Sequence, residues 1–349
     1  MIDRKYKIPL LVVSCDKYSD LWLPFFSLFW KRWGDCPYSV FLGSNEKTYN
    51  HASVNPIKIG IDTTWAGNLV RMLDSLNASY VLLFLDDFLI QQPVNTPLVE
   101  KLVSIAIENE IGCLRLGDSS LFHPARQAFL RNRVGQTLSS ALSLPVPDFP
   151  DLGIITPGTP YRVSTQVGVW RTETLRHLLL PRFNIWQFEE IGTQLSVTLP
   201  DQFWSVRKPA IVYDHGVEKG KWKPEGVAIC REAGVKLDIE ARSAFTEQGL
   251  QAHYLSCEAQ WHLYQIKCWS MENFLLGRRS EGLQHGLQYL KSKPLSVQMW
   301  AIILLGLVGR KPISWLKSLH FAIKVFGYRR NPCVRKILSA SKHSRFQEK

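Results

Sequence analysis

Two adjacent aspartates, Asp86 and Asp87, close the apolar run Tyr80–Leu85 (YVLLFL). Carboxylates held this close repel unless a cation or hydrogen-bond donors offset their charge. Hard oxygen ligands of this kind suit Mg²⁺ or Mn²⁺, and those ions bridge to phosphate oxygens. The plainer alternative is that one Asp caps the next turn and the other is solvated. An apolar strand that delivers both to its C-terminal end favours the chemical reading, because ligands of open α/β sheets gather at the carboxyl ends of strands.

Four other groups have chemical potential. Ser14-Cys15-Asp16 follows the first apolar run and meets the same sheet edge; Asp16 could accept hydrogen bonds from a base or a ribose, or cap the next helix. Asp62 precedes a helix start, Trp65-Ala66-Gly67-Asn68, that carries Arg71. Helix-start amides beside a cation suit a diphosphate, whereas a buried Trp with an exposed Arg is the ordinary alternative. Trp186-Gln187-Phe188-Glu189-Glu190 sets acids inside an aromatic segment. Apolar surroundings raise a carboxylate toward a general-base pKa; otherwise the two acids open an exposed helical turn. Tyr213-Asp214-His215-Gly216, followed by Gly220-Lys221-Trp222, places a His after a strand, able to complete a metal shell or bind phosphate, or to serve structure alone. The chain has no Walker A, GxGxxG, GxSxG or HExxH pattern, which removes the commonest nucleotide and hydrolase readings.

These groups need a sheet to position them. Pro9–Ser14 is rich in β-branched residues and reads as a strand buried on both faces. Asp20–Trp33 carries a helical pattern ended by Gly34. Tyr38–Leu42 and Ile57–Ile61 read as strands, Trp65–Leu76 as a helix and Tyr80–Leu85 as the strand before the Asp pair. Gly112–Leu116, Tyr161–Trp170 and Ala210–Tyr213 read as further strands, and Thr172 as a helix N-cap. Residues 117–160, rich in Pro, Ser and Gly, read as long loops over the site. Alternating strands and helices predict a parallel or mixed α/β sheet. From about Asp238 the pattern is helical, and a soft boundary is expected near residue 226.

The composition is globular: 46% of the 349 residues are hydrophobic and 12 are Trp. The net charge is +12, of which +10 falls between Arg310 and Lys349 (11 Lys/Arg, one acid). A basic tail invites anionic partners. Seven scattered cysteines without a CxxC pair argue against a disulfide framework or a cysteine zinc site and fit a reducing cytoplasm. The N-terminus lacks the length and cleavage site of a signal peptide. The longest apolar stretch, Met299–Val308, is too short to span a bilayer and reads as a buried or interfacial helix. Ile313–Phe326 places Leu316, Leu319, Ile323 and Phe326 on one face, with Lys317, His320 and Lys324 away from it, the pattern of an interfacial helix.

Taken in order, VVSCDKYSDLW (12–22), WAGNLVRML (65–73), YVLLFLDDF (80–88), YRVSTQVGVWR (161–171), IWQFEE (185–190) and DHGVEKGKW (214–222) resemble bacterial glycosyltransferases of the GT-A fold, of the type found in capsule and lipopolysaccharide biosynthesis. The resemblance covers roughly residues 8–225. It implies a GT-A-like α/β fold, a Rossmann-like mixed sheet flanked by helices, with a catalytic domain over 1–225 and a helical extension over 226–349. It further implies a nucleotide-sugar donor held by Ser14, Asp16, Asp62, Asn68, Arg71 and Asp86, and a divalent cation (Mn²⁺ or Mg²⁺) on Asp87 and His215. The usual D-x-D motif is compressed here to Leu85-Asp86-Asp87. Glu189 falls where inverting members keep the base that deprotonates the acceptor hydroxyl, with Asp86 near the donor sugar. The implied acceptor is a saccharide, lipid-linked, with residues 310–349 on the anionic inner face of the cell membrane and no nucleic-acid partner. The alternatives are a sugar-phosphate nucleotidyltransferase and a non-catalytic membrane-surface protein.

Overall fold

A computed structural model describes residues 7–117, 143–157, 159–328 and 331–343. The chain divides into two compact units: residues to Gln127 with Ala141–Thr246 form one, and Glu247–Lys349 belong to the other.

The first unit is built on a nine-stranded mixed sheet with the order β3-β2-β1-β4-β9-β6-β10-β8-β7. Its first half follows the sequence pattern closely. β1 (Leu10–Val13) is buried throughout because it is flanked by parallel neighbours on both sides, β2 (Val40–Ser44) and β4 (Tyr80–Leu85). Beyond β2 lies β3 (Val54–Lys58), also parallel. A 3₁₀ turn over Asp16–Leu21 leads into α1 (Trp22–Arg32). α2 (Trp65–Leu76) precedes β4, and the short β5 (Phe88–Ile90) follows the Asp pair. The apolar stripe of α1 packs edge-on against the sheet, with the Phe25 and Phe29 rings 6.3 and 6.2 Å from Phe84. α3 (Thr96–Glu108) joins the same core, and the Trp33 indole donates to Thr96 Oγ1 at 2.9 Å.

The second half departs from the pattern. β6 (Cys113–Arg115), β7 (Ser143–Val146) and β8 (Phe149–Ile155) come next. The β7–β8 hairpin occupies part of the stretch expected to be loop; the rest of that stretch, 118–142, lies outside the described residues. β9 is only Gly168–Arg171, not Tyr161–Trp170. Residues 162–166 are drawn off by side-chain bonds: Val163 N–H donates to Thr193 Oγ1 and Thr165 N–H to Glu189. β9 runs antiparallel to both β4 and β6. α4 is Thr172–Leu178, and Arg171, not Thr172, stands at its N-cap position. α5 (Ile185–Ser196) starts from a capping box of Asn184 and Gln187. β10 (Phe203–Val206) is parallel to β6 and antiparallel to β8. β11 (Tyr213–His215), β12 (Val217–Glu218) and β13 (Lys221–Trp222) follow, and then α6 (Pro224–Glu232). The boundary expected near 226 falls inside α6, which belongs to the first unit. β3 lies three residues earlier than expected, because the polar turn after it is needed to start α2.

The described part of the second unit is helical: α7 (Glu247–Leu275), α8 (Arg279–Ser292), α9 (Val297–Val308), α10 (Arg310–Lys324) and α11 (Pro332–His343). Phe274, Tyr289, Leu290, Met299, Ile302, Ile303 and Ile313 form its core. Gly306 packs against the Phe274 ring, which any Cβ there would strike at 2.3 Å. Among the described residues no helix is long and apolar enough to cross a membrane.

Candidate functional site

Asp86 and Asp87 sit in the turn between β4 and β5, at the C-terminal edge of β1 and β4. Ser14, just past the end of β1, donates its hydroxyl to Asp86 Oδ2 and accepts from the Trp22 indole at 2.7 Å. One side chain thus fixes the Asp86 carboxylate and is itself held in place. Burial, followed by the neighbouring Asp87 charge, holds the Asp86 carboxyl well above the usual carboxylate range. Burial likewise pushes Asp87 up to about 7, and Glu218 adds to the effect while Lys223 and Arg242 oppose it. Hydrogen-bond donors and nearby cations therefore leave the pair short of full charge compensation.

β11 brings His215 to this edge. It pairs antiparallel with β5, His215 opposite Phe88, and Gly216 N–H donates to the Asp87 carbonyl at 2.8 Å. The His215 ring stands edge-on to Phe88 at 4.7 Å. The close approach of α6 requires glycine at position 226, since a Cβ there would lie 2.7 Å from the Gly216 carbonyl oxygen. The β12–β13 hairpin turns through Lys219 and Gly220, both with positive φ (48° and 78°), as a two-residue hairpin turn demands.

Glu189 reaches the same edge from α5. It is 8% exposed, and its Oε1 accepts from Thr165 N–H at 2.8 Å, Thr165 Oγ1 at 3.0 Å and Ser164 Oγ at 3.1 Å. Oε2 accepts from none of the described groups. The surroundings of the carboxylate are therefore polar donors, not the apolar pocket expected from its aromatic neighbours. The next residue, Gln166, lies with its Nε2 3.5 Å from His215 Nε2 and accepts from the Tyr213 hydroxyl. The Ser164–Gln166 segment thus links Glu189 to His215.

The remaining expected donor ligands are committed elsewhere. The Asp16 carboxylate accepts the backbone N–H groups of Asn45, Glu46 and Lys47 at 3.0–3.2 Å, so it clamps the loop after β2 instead of presenting itself to a ribose. Arg71 donates to the Ile59 and Ile61 carbonyls at 2.7 and 2.6 Å and to Asn68 Oδ1 at 2.7 Å. Asn68 in turn donates to Asp62 Oδ1 at 2.6 Å. This closed network shapes the β3–α2 loop. The start of α2 is also filled: Thr64 Oγ1 caps Gly67 N–H at 3.1 Å, and Ala66 N–H donates to the Phe183 carbonyl at 3.1 Å. The helix-start amides and free cation expected for a diphosphate are therefore not offered here.

Several residues escaped the sequence reading as site components. Ser164, Thr165 and Gln166 are three consecutive hydrogen-bonding side chains between Val163 and Val167, and that interruption of an apolar run was a usable signal. Arg242 was not readable: its partner Asp20 lies 222 residues away, bonded at 2.6 and 2.9 Å. Arg242 also donates to the Gly220 carbonyl at 3.0 Å and lies 4.6 Å over the Tyr18 ring, so it ties the hairpin to the first loop beside the Asp pair.

No group of three or more His, Cys, Asp or Glu side chains able to hold a metal ion occurs among the described residues. The β5–β11 ladder sets His215 opposite Phe88, one residue along from Asp87, whose backbone carbonyl is met by Gly216 N–H.

No family model matches the sequence, and no curated protein matches it. Among solved structures the chain is similar to residues 1–349 of S. aureus TarS, at 12% identity and TM-score 0.37, covering 98% of this chain and 93% of that one. It is similar to 2-C-methyl-D-erythritol 4-phosphate cytidylyltransferase from Thermus thermophilus, at 13% identity and TM-score 0.37, covering 66% of this chain and 100% of that one. It is also similar to the bifunctional glycosyltransferase WbbM, at 11% identity and TM-score 0.38, covering 68% of this chain and 51% of that one. At scores this low the likeness by itself assigns neither fold family nor activity.

Proposed function

We propose that the unit ending at Thr246 is a nucleotide-sugar-dependent glycosyltransferase of the GT-A type that passes a sugar to a saccharide hydroxyl with inversion. The observation that carries this reading is the convergence, at one sheet edge, of an undercompensated Asp pair and a carboxylate, Glu189, with one oxygen anchored and one open. Glu189 Oε1 is held by Ser164 and Thr165, leaving Oε2 to take the proton of the attacking hydroxyl. Asp86, set by Ser14, sits against the donor sugar or its ribose. Asp87 and His215 would hold a divalent cation, with diphosphate oxygens completing its shell; when bound, that cation offsets charge on the leaving nucleotide. Arg242 and Lys223, themselves paired with Asp20 and Asp214, offset part of the Asp87 charge from the side. The finer reading is a lipid-linked acceptor of surface-polysaccharide assembly, with the enzyme working at the inner face of the cell membrane.

A sugar-phosphate nucleotidyltransferase would call for a glycine-rich phosphate loop after β1, whereas this chain has a 3₁₀ turn there, over Asp16–Leu21. Thermal-shift screening of nucleotide sugars with and without Mn²⁺ tests the proposal. Stabilisation by a nucleotide sugar that depends on the cation, with turnover to the free nucleoside diphosphate, is expected. Release of pyrophosphate from a nucleoside triphosphate and a sugar phosphate would overturn it.

A further inference from the structure

α9 is apolar apart from Gln298 near its start. One face, Met299, Ile302, Ile303 and Gly306, is buried in the core of the second unit. The opposite face is exposed and equally apolar: Val297 is 81% exposed, Leu304 62% and Val308 71%, with Trp300 and Leu307 among them, and Leu295 just before the helix 91%. At 3.6 residues per turn, positions 297, 300, 304, 307 and 308 fall within an arc of about 100°. On α10, Trp315, Leu319 and Ile323 are exposed at a spacing of four residues. A contiguous bulky stripe of this kind on a folded surface marks an interaction face.

The charge around it identifies the partner. Residues 282–347 contain 12 Lys/Arg and not one Asp or Glu. Lys291, Lys293, Lys311, Lys317, Arg335 and Lys336 are exposed. An apolar stripe embedded in an acid-free cationic sequence complements an anionic bilayer, where buried apolar area and headgroup attraction add. A second copy of this chain fits poorly, since an isologous contact would press two cationic faces together.

We propose that the second unit docks on anionic membranes by inserting the α9 stripe, Leu295 to Val308, into the boundary between headgroups and acyl chains. The exposed cations Lys291, Lys293, Lys311, Lys317, Arg335 and Lys336 engage the headgroup phosphates. The tail beyond Arg310, expected from sequence to be the anchor, then supplies charge, and α9 supplies the inserted area. This stands apart from the transferase reading, because donor binding and vesicle binding are read separately.

The test is sedimentation of the full chain with phosphatidylcholine vesicles, with and without phosphatidylglycerol. The double substitution Leu304→Glu and Val308→Glu alters two exposed side chains, so the fold should survive; its melting curve checks this. Wild type should sediment with the anionic vesicles alone, and the double variant should bind about tenfold or more weakly while keeping its donor-induced thermal shift. Equal binding by wild type and variant would overturn the insertion. Failure of wild type to bind anionic vesicles would overturn the docking. A wild-type dimer that the substitutions dissociate, without vesicle binding, would reassign the face to a second copy. Binding of RNA in place of vesicles, unaffected by the substitutions, would reassign the cations.

Discussion

Two clusters of acids lie along the C-terminal edge of the same parallel strands, and they differ in how their charge is met. At Asp16 and at Asp62-Asn68-Arg71, the polar atoms bond to backbone and to one another in closed sets. At Asp86-Asp87, hydroxyl and cation neighbours are present but do not offset burial, and both carboxyls stay raised. The first kind of cluster shapes loops. The second keeps buried acids with raised pKa values, and perturbed acids in a strand-end position make a functional-site candidate. Glu189 stands between the two: one oxygen is saturated, as in a structural acid, and the other accepts no hydrogen bond from the described groups.

The sharpest way to break this contrast is at Glu189. Replacing it with Gln removes the base while Ser164 and Thr165 can still donate to the amide oxygen. kcat should fall about 10³-fold, with the melting temperature and donor affinity nearly unchanged. Glu190→Gln, on the exposed neighbour, serves as control. Retained turnover in Glu189→Gln would place this acid with the structural set.

Asp87→Asn should come next. It removes the cation's expected anchor, so turnover falls about 10²-fold or more, the several kcal/mol a bound metal contributes, and the Mn²⁺ dependence of donor stabilisation disappears. In metal-free buffer at neutral pH the variant should be more stable than wild type, because a buried carboxyl that resists ionisation has been removed. Loss of both stability and activity would show that Asp87 is structural.

How much of this contrast was legible in sequence follows from its range. The strand ending in Asp86-Asp87 was readable because six consecutive apolar residues and two acids make a local pattern. α2 was placed to the residue because Thr64 caps it and its apolar stripe is regular. What its Arg71 does was not legible, since it bonds two carbonyls, an amide oxygen and the Thr63 hydroxyl, whose positions depend on the folded loop. The irregular approach to β9 was read as strand because Val163, Val167 and Val169 alternate well enough, and the pull of Glu189 and Thr193 on that segment is tertiary. Asp20 with Arg242 has no local signature at all.

The structural set gives the third prediction. Asp16→Ala leaves the Asn45, Glu46 and Lys47 amides without their acceptor, which should cost about 2 kcal/mol of stability. At temperatures where the variant stays folded, KM for the donor should change little. A rise in KM much larger than the loss of stability would mean that Asp16 also touches the nucleotide, and the line between the two clusters would have to be redrawn.

The remaining test is a trend with pH. In the metal-free protein the folded-state pKa of Asp87 is about 7 against an ordinary value of 3.8. An acid raised on folding binds more protons in the native state, so stability falls as pH rises through that interval. Between about pH 4 and pH 7 the melting temperature of wild type should therefore carry a downward component that Asp87→Asn lacks. The cation competes with the same proton, so with Mn²⁺ and donor present the stabilisation should instead grow over that range. A wild-type profile that parallels Asp87→Asn in both conditions would mean that the Asp87 charge is already compensated, and the site would then belong with Asp16 and Arg71.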